Sequence, residues 1–155
     1  MAMTQAEIAK AYPLPVYNFR VEIDGQTVGF SEVSGLNIAY DTITYTESAL
    51  SGPGPRIMYM PGKPKVTTLT LKKGVVTGSS VKTMYAWINT VALNRVLKKD
   101  IAIRLCDENG VAVISWKVLN AFPTKLDAPA FTASSNEVAI ETMELTADAI
   151  VIEQA

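Results

Sequence analysis

The sequence predicts a mainly β domain, a β-sandwich or strongly bent barrel with one packed α-helix, and three observations lead there. Apolar and polar residues alternate with period two in several separate runs, the mark of half-buried strands. The pairs Asp24-Gly25 and Asn109-Gly110 stand between such runs, where tight hairpins need backbone of positive φ. A single long stretch, 79–94, repeats instead at helical spacing.

Thr4-Gln5-Ala6-Glu7 fits a capping box ahead of a short helical turn, with a frayed tail as the alternative. Pro13 and Pro15 end any helix and draw the chain out, so 1–15 reads as an N-terminal arm. In the first strand Tyr17, Phe19, Val21 and Ile23 alternate with Asn18, Arg20 and Glu22; a short return strand follows over about 27–30. The next strand, about 36–47, changes phase: Leu36, Ile38 and Tyr40 share one parity, Ile43 and Tyr45 the other. A slip of one residue moves side chains to the opposite face, so a bulge near Asp41 is expected. A strand apolar on both faces, covered by its own core and by a neighbouring molecule, is the alternative.

Residues 48–64 read as a long loop, because Pro53, Pro55, Pro61 and Pro64 are interleaved with Gly52, Gly54 and Gly62. Loops of this length are usually functional or disordered. Ile57, Met58, Tyr59 and Met60 lie inside it, an apolar cluster that a solvated linker does not need. Folding back on the core is one use for them; contact with another chain is the reading preferred here.

Residues 66–73 form a Thr-rich strand with Leu69 and Leu71 inward. Ser79 or Ser80 can then cap a helix to about Asn94, with Val81, Met84, Tyr85, Ile88, Val91 and Ala92 on one stripe. Trp87, on the shoulder of that stripe, is expected to anchor the core rather than to stack a ligand. Ile101, Ile103 and Leu105 alternate before the Asn109-Gly110 turn, and strands over 111–122 and about 137–152 complete the chain. The expected core anchors are Phe19, Val21, Tyr85, Trp87, Ile88 and Trp116.

The chemistry-bearing residues are sparse. The chain has no histidine, which removes Ser-His-Asp and Cys-His catalysis and the usual zinc sites. Its one cysteine, Cys106, has no imidazole to activate it and reads as a small buried hydrophobe. Glu137 and Glu141, four apart on a strand, would stand about 13 Å from each other, beyond the roughly 5–9.5 Å of a glycosidase pair. Gly52-Pro53-Gly54-Pro55 lacks the N–H groups of a phosphate cradle, and Asp107-Glu108-Asn109-Gly110 lacks the further ligands of a calcium loop, with Leu119 where the closing glutamate belongs. No catalytic, cofactor or metal residue is expected.

At 155 residues, 48% hydrophobic and 19% charged, the chain is one globular domain with a core of its own. A net charge of −1, with only short pairs such as Lys72-Lys73 and Lys98-Lys99, argues against direct nucleic-acid binding; those pairs read as solvated element ends. No apolar run reaches the roughly 18 residues needed to span a bilayer, and no basic region precedes an apolar one at the start. Stable membrane insertion and a secretory signal are therefore not expected. A lone cysteine fits synthesis in a reducing bacterial cytoplasm.

Tyr12-Pro13-Leu14-Pro15-Val16-Tyr17-Asn18-Phe19-Arg20-Val21-Glu22-Ile23-Asp24-Gly25, with Gly35-Leu36 beyond it, resembles the opening of the inner tube proteins of contractile injection systems. Val33-Ser34-Gly35-Leu36, Met60-Pro61-Gly62-Lys63, Leu69-Thr70-Leu71-Lys72-Lys73-Gly74 and Trp87-Ile88-Asn89 continue the resemblance in order. So do Lys98-Lys99-Asp100-Ile101, Asn120-Ala121-Phe122-Pro123-Thr124 and Ser135-Asn136-Glu137-Val138-Ala139. Tyr40-Asp41-Thr42-Ile43 and Leu145-Thr146-Ala147-Asp148 are more similar to extracellular phage-tail-like particles than to phages.

The resemblance implies the fold of phage tail tubes and the type VI secretion tube, and a structural rather than enzymatic role. It implies hexameric rings stacked into a tube within a contractile sheath, driven through a target envelope on contraction. Partners would be further copies, the sheath protein, and baseplate or tip and terminator proteins; the lumen admits protein cargo, with DNA left open. The particle would act outside the cell, or as a virion tail. Ile57, Met58, Tyr59 and Met60, and less strongly Pro13 and Pro15 of the arm, are the inter-subunit contact candidates. A minor tube paralogue at the baseplate or tail tip is one alternative. A monomeric β-sandwich binding carbohydrate or peptide is another, which exposed aromatics on a flat face would favour.

Overall fold

Strand β8 (Ala112–Asp127), 16 residues long, runs through both sheets of the fold and bends between them. The computed structural model describes residues 2–78 and 81–154. The first half of β8 pairs antiparallel with β7 (Lys99–Cys106) on one side and β10 (Ala149–Gln154) on the other; its second half pairs with β9 (Ile140–Ala147). The bend lies at Asn120. Between the partners Ala121↔Lys99 and Val118↔Ile101, β8 carries one residue more than β7.

An extra residue reverses which parity faces inward. Trp116 and Val118 face the core before the bend, Ala121 and Pro123 after it. Asn120 is left-handed there, with φ of 52°, a conformation that asparagine tolerates through local hydrogen bonds. Its backbone N–H donates to the Asp100 carboxylate at 2.9 Å and its amide donates to Asp148 at 3.0 Å.

The first sheet has the order β2-β1-β7-β8-β10, with β1 at Phe19–Ile23 and β2 at Gln26–Val28. The second has the order β8-β9-β6-β3, with β6 at Thr67–Gly74 and β3 at Glu32–Ser34. Val21, Ile23, Ile101, Ile103, Val118 and Ile150 of the first sheet meet Leu69, Leu71, Met143 and Leu145 of the second in one core. Met84 and Trp87 join that core from a short helical turn, and the Trp87 indole N–H donates to the Leu97 carbonyl at 2.7 Å.

Several boundaries differ from expectation. The helix expected over 79–94 is a π-helical turn, Val81–Tyr85, running into α2 (Ala86–Ile88); its proposed caps, Ser79 and Ser80, lie outside the described residues. A π turn is wider than an α turn, so it turns Met84 and Trp87 inward while Tyr85 stays 55% exposed. Tyr85 is therefore no core anchor. Val21 and Trp87 are buried, and Phe19, Ile88 and Trp116 are half-buried against the core.

The strand expected over 137–152 breaks at Asp148 into β9 and β10, because each follows a different half of the bent β8. The strand expected over about 36–47 starts later, as β4 (Tyr40–Glu47), and 36–39 belong to no strand. The second half of the expected 48–64 loop is in fact a strand, β5 (Arg56–Pro64), paired with β4.

Candidate assembly surface

Strands β4 and β5 form a hairpin that pairs with no other strand among the described residues. In the chain β4 follows β3 and β5 precedes β6, and at the hairpin's base the Lys65 N–H donates to the Ala39 carbonyl at 2.8 Å. Its register shifts between Tyr40 and Thr42, where the single residue Asp41 of β4 stands against Gly62 and Lys63 of β5, so the irregularity expected near Asp41 carries its extra residue on the partner strand. Beyond the bulge the cross-strand pairs are Ile43↔Met60, Thr44↔Tyr59, Tyr45↔Met58 and Thr46↔Ile57.

Opposed residues share a face, so the apolar cluster divides in two. One face carries Ile43, Tyr45, Met58 and Met60; the other carries Ile57 and Tyr59 among threonines. Sequence reading alone missed this division because it took the segment for a loop. Tyr59 is 74% exposed, and Ile43, Tyr45, Ile57 and Met60 are each exposed as well. Glu47 and Arg56 pair at 3.7 Å near the tip, and Asp41 and Lys65 at 3.8 Å near the base. A two-stranded hairpin without a covering layer is marginal in water. Large apolar side chains on both of its faces mark a surface built to be covered.

The N-terminal arm is the second apolar projection. Its helix α1 (Gln5–Ala11) begins with the complete capping box and buries none of its residues. The Glu7 carboxylate accepts the Thr4 backbone N–H at 2.7 Å, and that bond together with the Thr4 hydroxyl holds its pKa below the ordinary carboxylate range. Pro13 and Pro15 line a hollow between this helix and Asp107–Glu108, and Val16 and Tyr17 beyond them are strongly exposed. Three sheet edges, β2, β3 and β10, carry no further strand among the described residues.

The remaining candidates fall into structural places. Cys106 is buried on β7, its sulfur 3.8 Å from the Arg20 guanidinium. The Asp107 carboxylate accepts the N–H groups of Asn109 and Val111 at 2.9 and 3.0 Å, which makes 107–110 a turn. Glu137 precedes β9 rather than lying on it, so the strand spacing to Glu141 does not apply. Lys73, expected to be solvated, is buried on the core side of β6 opposite Glu141, since it continues the inward parity of Leu69 and Leu71. No group of metal-ligating side chains occurs among the described residues.

Comparison with known proteins finds likeness to tail tube and sheath-tube components. Residues 15–151 match the family model described as T4-like virus tail tube protein gp19. The chain is similar to one in the PVC sheath-tube complex of an extracellular contractile injection system, in its extended state. That match has 39% identity and a TM-score of 0.90, covering 99% of this chain and 100% of the other. It is similar to a chain of the anti-feeding prophage tube-terminating cap at 43% identity and a TM-score of 0.85, covering all of both chains. A chain of the PVC sheath/tube terminator matches at 40% identity and a TM-score of 0.84, covering 92% of this chain and 97% of that one. A search of curated protein sequences finds no match.

Proposed function

The chain belongs to the T4-like virus tail tube protein family, and from that premise we propose that its work is done entirely by contacts between copies. Six copies close into a ring, rings stack into the inner tube of an extracellular contractile injection particle, and a sheath surrounds the tube. Baseplate and terminator proteins bound its two ends. Contraction of the sheath drives the tube through a target envelope. The likenesses to sheath-tube, cap and terminator chains support this reading.

One observation carries the stacking step: a hairpin with apolar side chains on both faces stands off the body of the protomer. In the tube, Ile43, Tyr45, Met58 and Met60 on one face, and Ile57 and Tyr59 on the other, are covered by neighbouring copies. Pro13 and Pro15 set the arm for a second, smaller contact. Ring closure covers the open edges that would otherwise invite uncontrolled pairing. No catalytic step is part of this function.

The test replaces Met58 and Met60 together by glutamate. Carboxylates held in a dry interface should abolish stacking, while the protomer keeps its circular dichroism spectrum and cooperative unfolding. Tubes of normal length in electron micrographs of this variant would remove the hairpin from the stacking interface. Likeness to the cap chain favours a second reading, a place confined to the tube's end. Immunogold labelling along the whole tube, rather than at its tip, decides against that one.

A further inference from the structure

Among the described residues the methionines divide sharply by exposure. Met84 and Met143 belong to the core, each 1% exposed. Met3 on the arm is 48% exposed, Met60 on the hairpin is 44% exposed, and Met58 is half-buried. The methionines that solvent reaches thus lie on the two surfaces assigned above to contacts between copies. Two of them share one hairpin face, Met60 opposite Ile43 and Met58 opposite Tyr45. The other large apolar residues of β4 and β5 are β-branched or aromatic, as strands favour: Tyr40, Ile43, Tyr45, Ile57 and Tyr59. Methionine is the exception there, and it alone brings a sulfur to the face. Cys106, the other sulfur that an oxidant can attack, is 2% exposed.

Resting on the stacking reading above, we propose that Met58 and Met60 form a modification site for peroxides, and that their sulfoxides keep a protomer out of the tube. In the free protomer a thioether lone pair takes one oxygen of hydrogen peroxide. The S–O bond forms as the O–O bond breaks, and the departing hydroxide carries off the proton of the transferred oxygen as water. Sulfur is oxidised and peroxide reduced by the same electron pair. A thioether needs no deprotonation, so access decides which methionine reacts. The product side chain is polar and chiral where the original was apolar and flexible. On a face that must go dry against another copy, the new oxygen gives up its water and meets apolar side chains instead. Met84 and Met143 stay out of reach, so the fold of the protomer survives. Once the face is covered its sulfurs are shielded, and a finished tube withstands what a free protomer does not. Reduction by a dithiol returns thioether and water and leaves a disulfide on the reductant, a reaction that methionine sulfoxide reductases catalyse for either epimer.

The test treats unassembled protein with limiting hydrogen peroxide, lets tubes form, pellets them and maps sulfoxide by peptide mass spectrometry. Sulfoxide at Met58 and Met60 should be depleted at least about tenfold in the pellet relative to the supernatant. Met84 and Met143 should stay unmodified, and the circular dichroism spectrum of the treated protomer should not change. Sulfoxide reductases with dithiothreitol should return the supernatant protein to tubes. Met58→Leu with Met60→Leu keeps the face apolar without sulfur, and should still assemble after a peroxide dose that stops the unaltered chain. Met3→Leu should stay sensitive, which places the effect on the hairpin rather than the arm. Equal sulfoxide at Met58 and Met60 in pellet and supernatant overturns the proposal. So does loss of the folded spectrum, or a double-leucine protein that peroxide still stops. If Met58→Glu with Met60→Glu stacks normally, the stacking reading itself fails. Equal partition of sulfoxide beside a glutamate variant that cannot stack removes the peroxide site alone.

Discussion

At Gly35 the backbone has φ of +90°, and a Cβ atom there would run into the carbonyl oxygen of Thr68. The residue lies where the chain leaves β3 for the hairpin, so the left-handed turn and the close approach to β6 are demanded together. Gly35→Ala should therefore lose about 1–3 kcal/mol, from backbone strain and a displaced β3–β6 pairing. Urea unfolding of the protomer measures it, and an unchanged midpoint would mean that the close approach relaxes without cost. Single residues were legible in the sequence where a simple period ruled. Leu69, Leu71, Ile101 and Ile103 alternate and are buried as alternation requires. Tyr85 was not legible, because one wide helical turn changes which side chain points inward.

Among the elements, β8 decides most. The sequence shows a strand there, but nothing in its alternation says that it serves two sheets. The device is Asn120, left-handed and held by Asp100 and Asp148, which come from the start of β7 and the β9–β10 junction. Asn120→Val should destabilise the protomer by about 1–3 kcal/mol, through the strained conformation and the lost amide bond. Asn120→Gly should restore the backbone share, and thermal unfolding of the pair separates the two contributions. The hairpin shows the opposite limit. Glycines and prolines made 48–64 look like a loop, whereas Arg56–Pro64 is a strand whose pairing with β4 spans an irregular connection. Proline is tolerated there because Pro61 and Pro64 sit on a strand with no further neighbour to bond.

For the whole molecule, the exposed apolar hairpin and a net charge of −1 make assembly a hydrophobic event with little electrostatic steering. Tube formation should change little between low and moderate sodium chloride, strengthen in ammonium sulfate and weaken on cooling. Sedimentation across these conditions checks it, and tubes that dissolve in moderate sodium chloride would place ion pairs at the interface instead. Ring and tube contacts stabilise the protomer by mass action, so its unfolding temperature should rise with concentration once rings form.

The sequence by itself determined the β class, the inward strand positions, the hairpin turns, the irregularity near Asp41 and the family, because each depends on local periodicity or on an ordered run of motifs. Tertiary structure alone decided that Met58 and Met60 part from Ile57 and Tyr59. It alone decided that β8 turns a corner and that Tyr85 faces water. Those facts depend on which strands lie side by side, and pairing between distant segments leaves no period for a single stretch of chain to display.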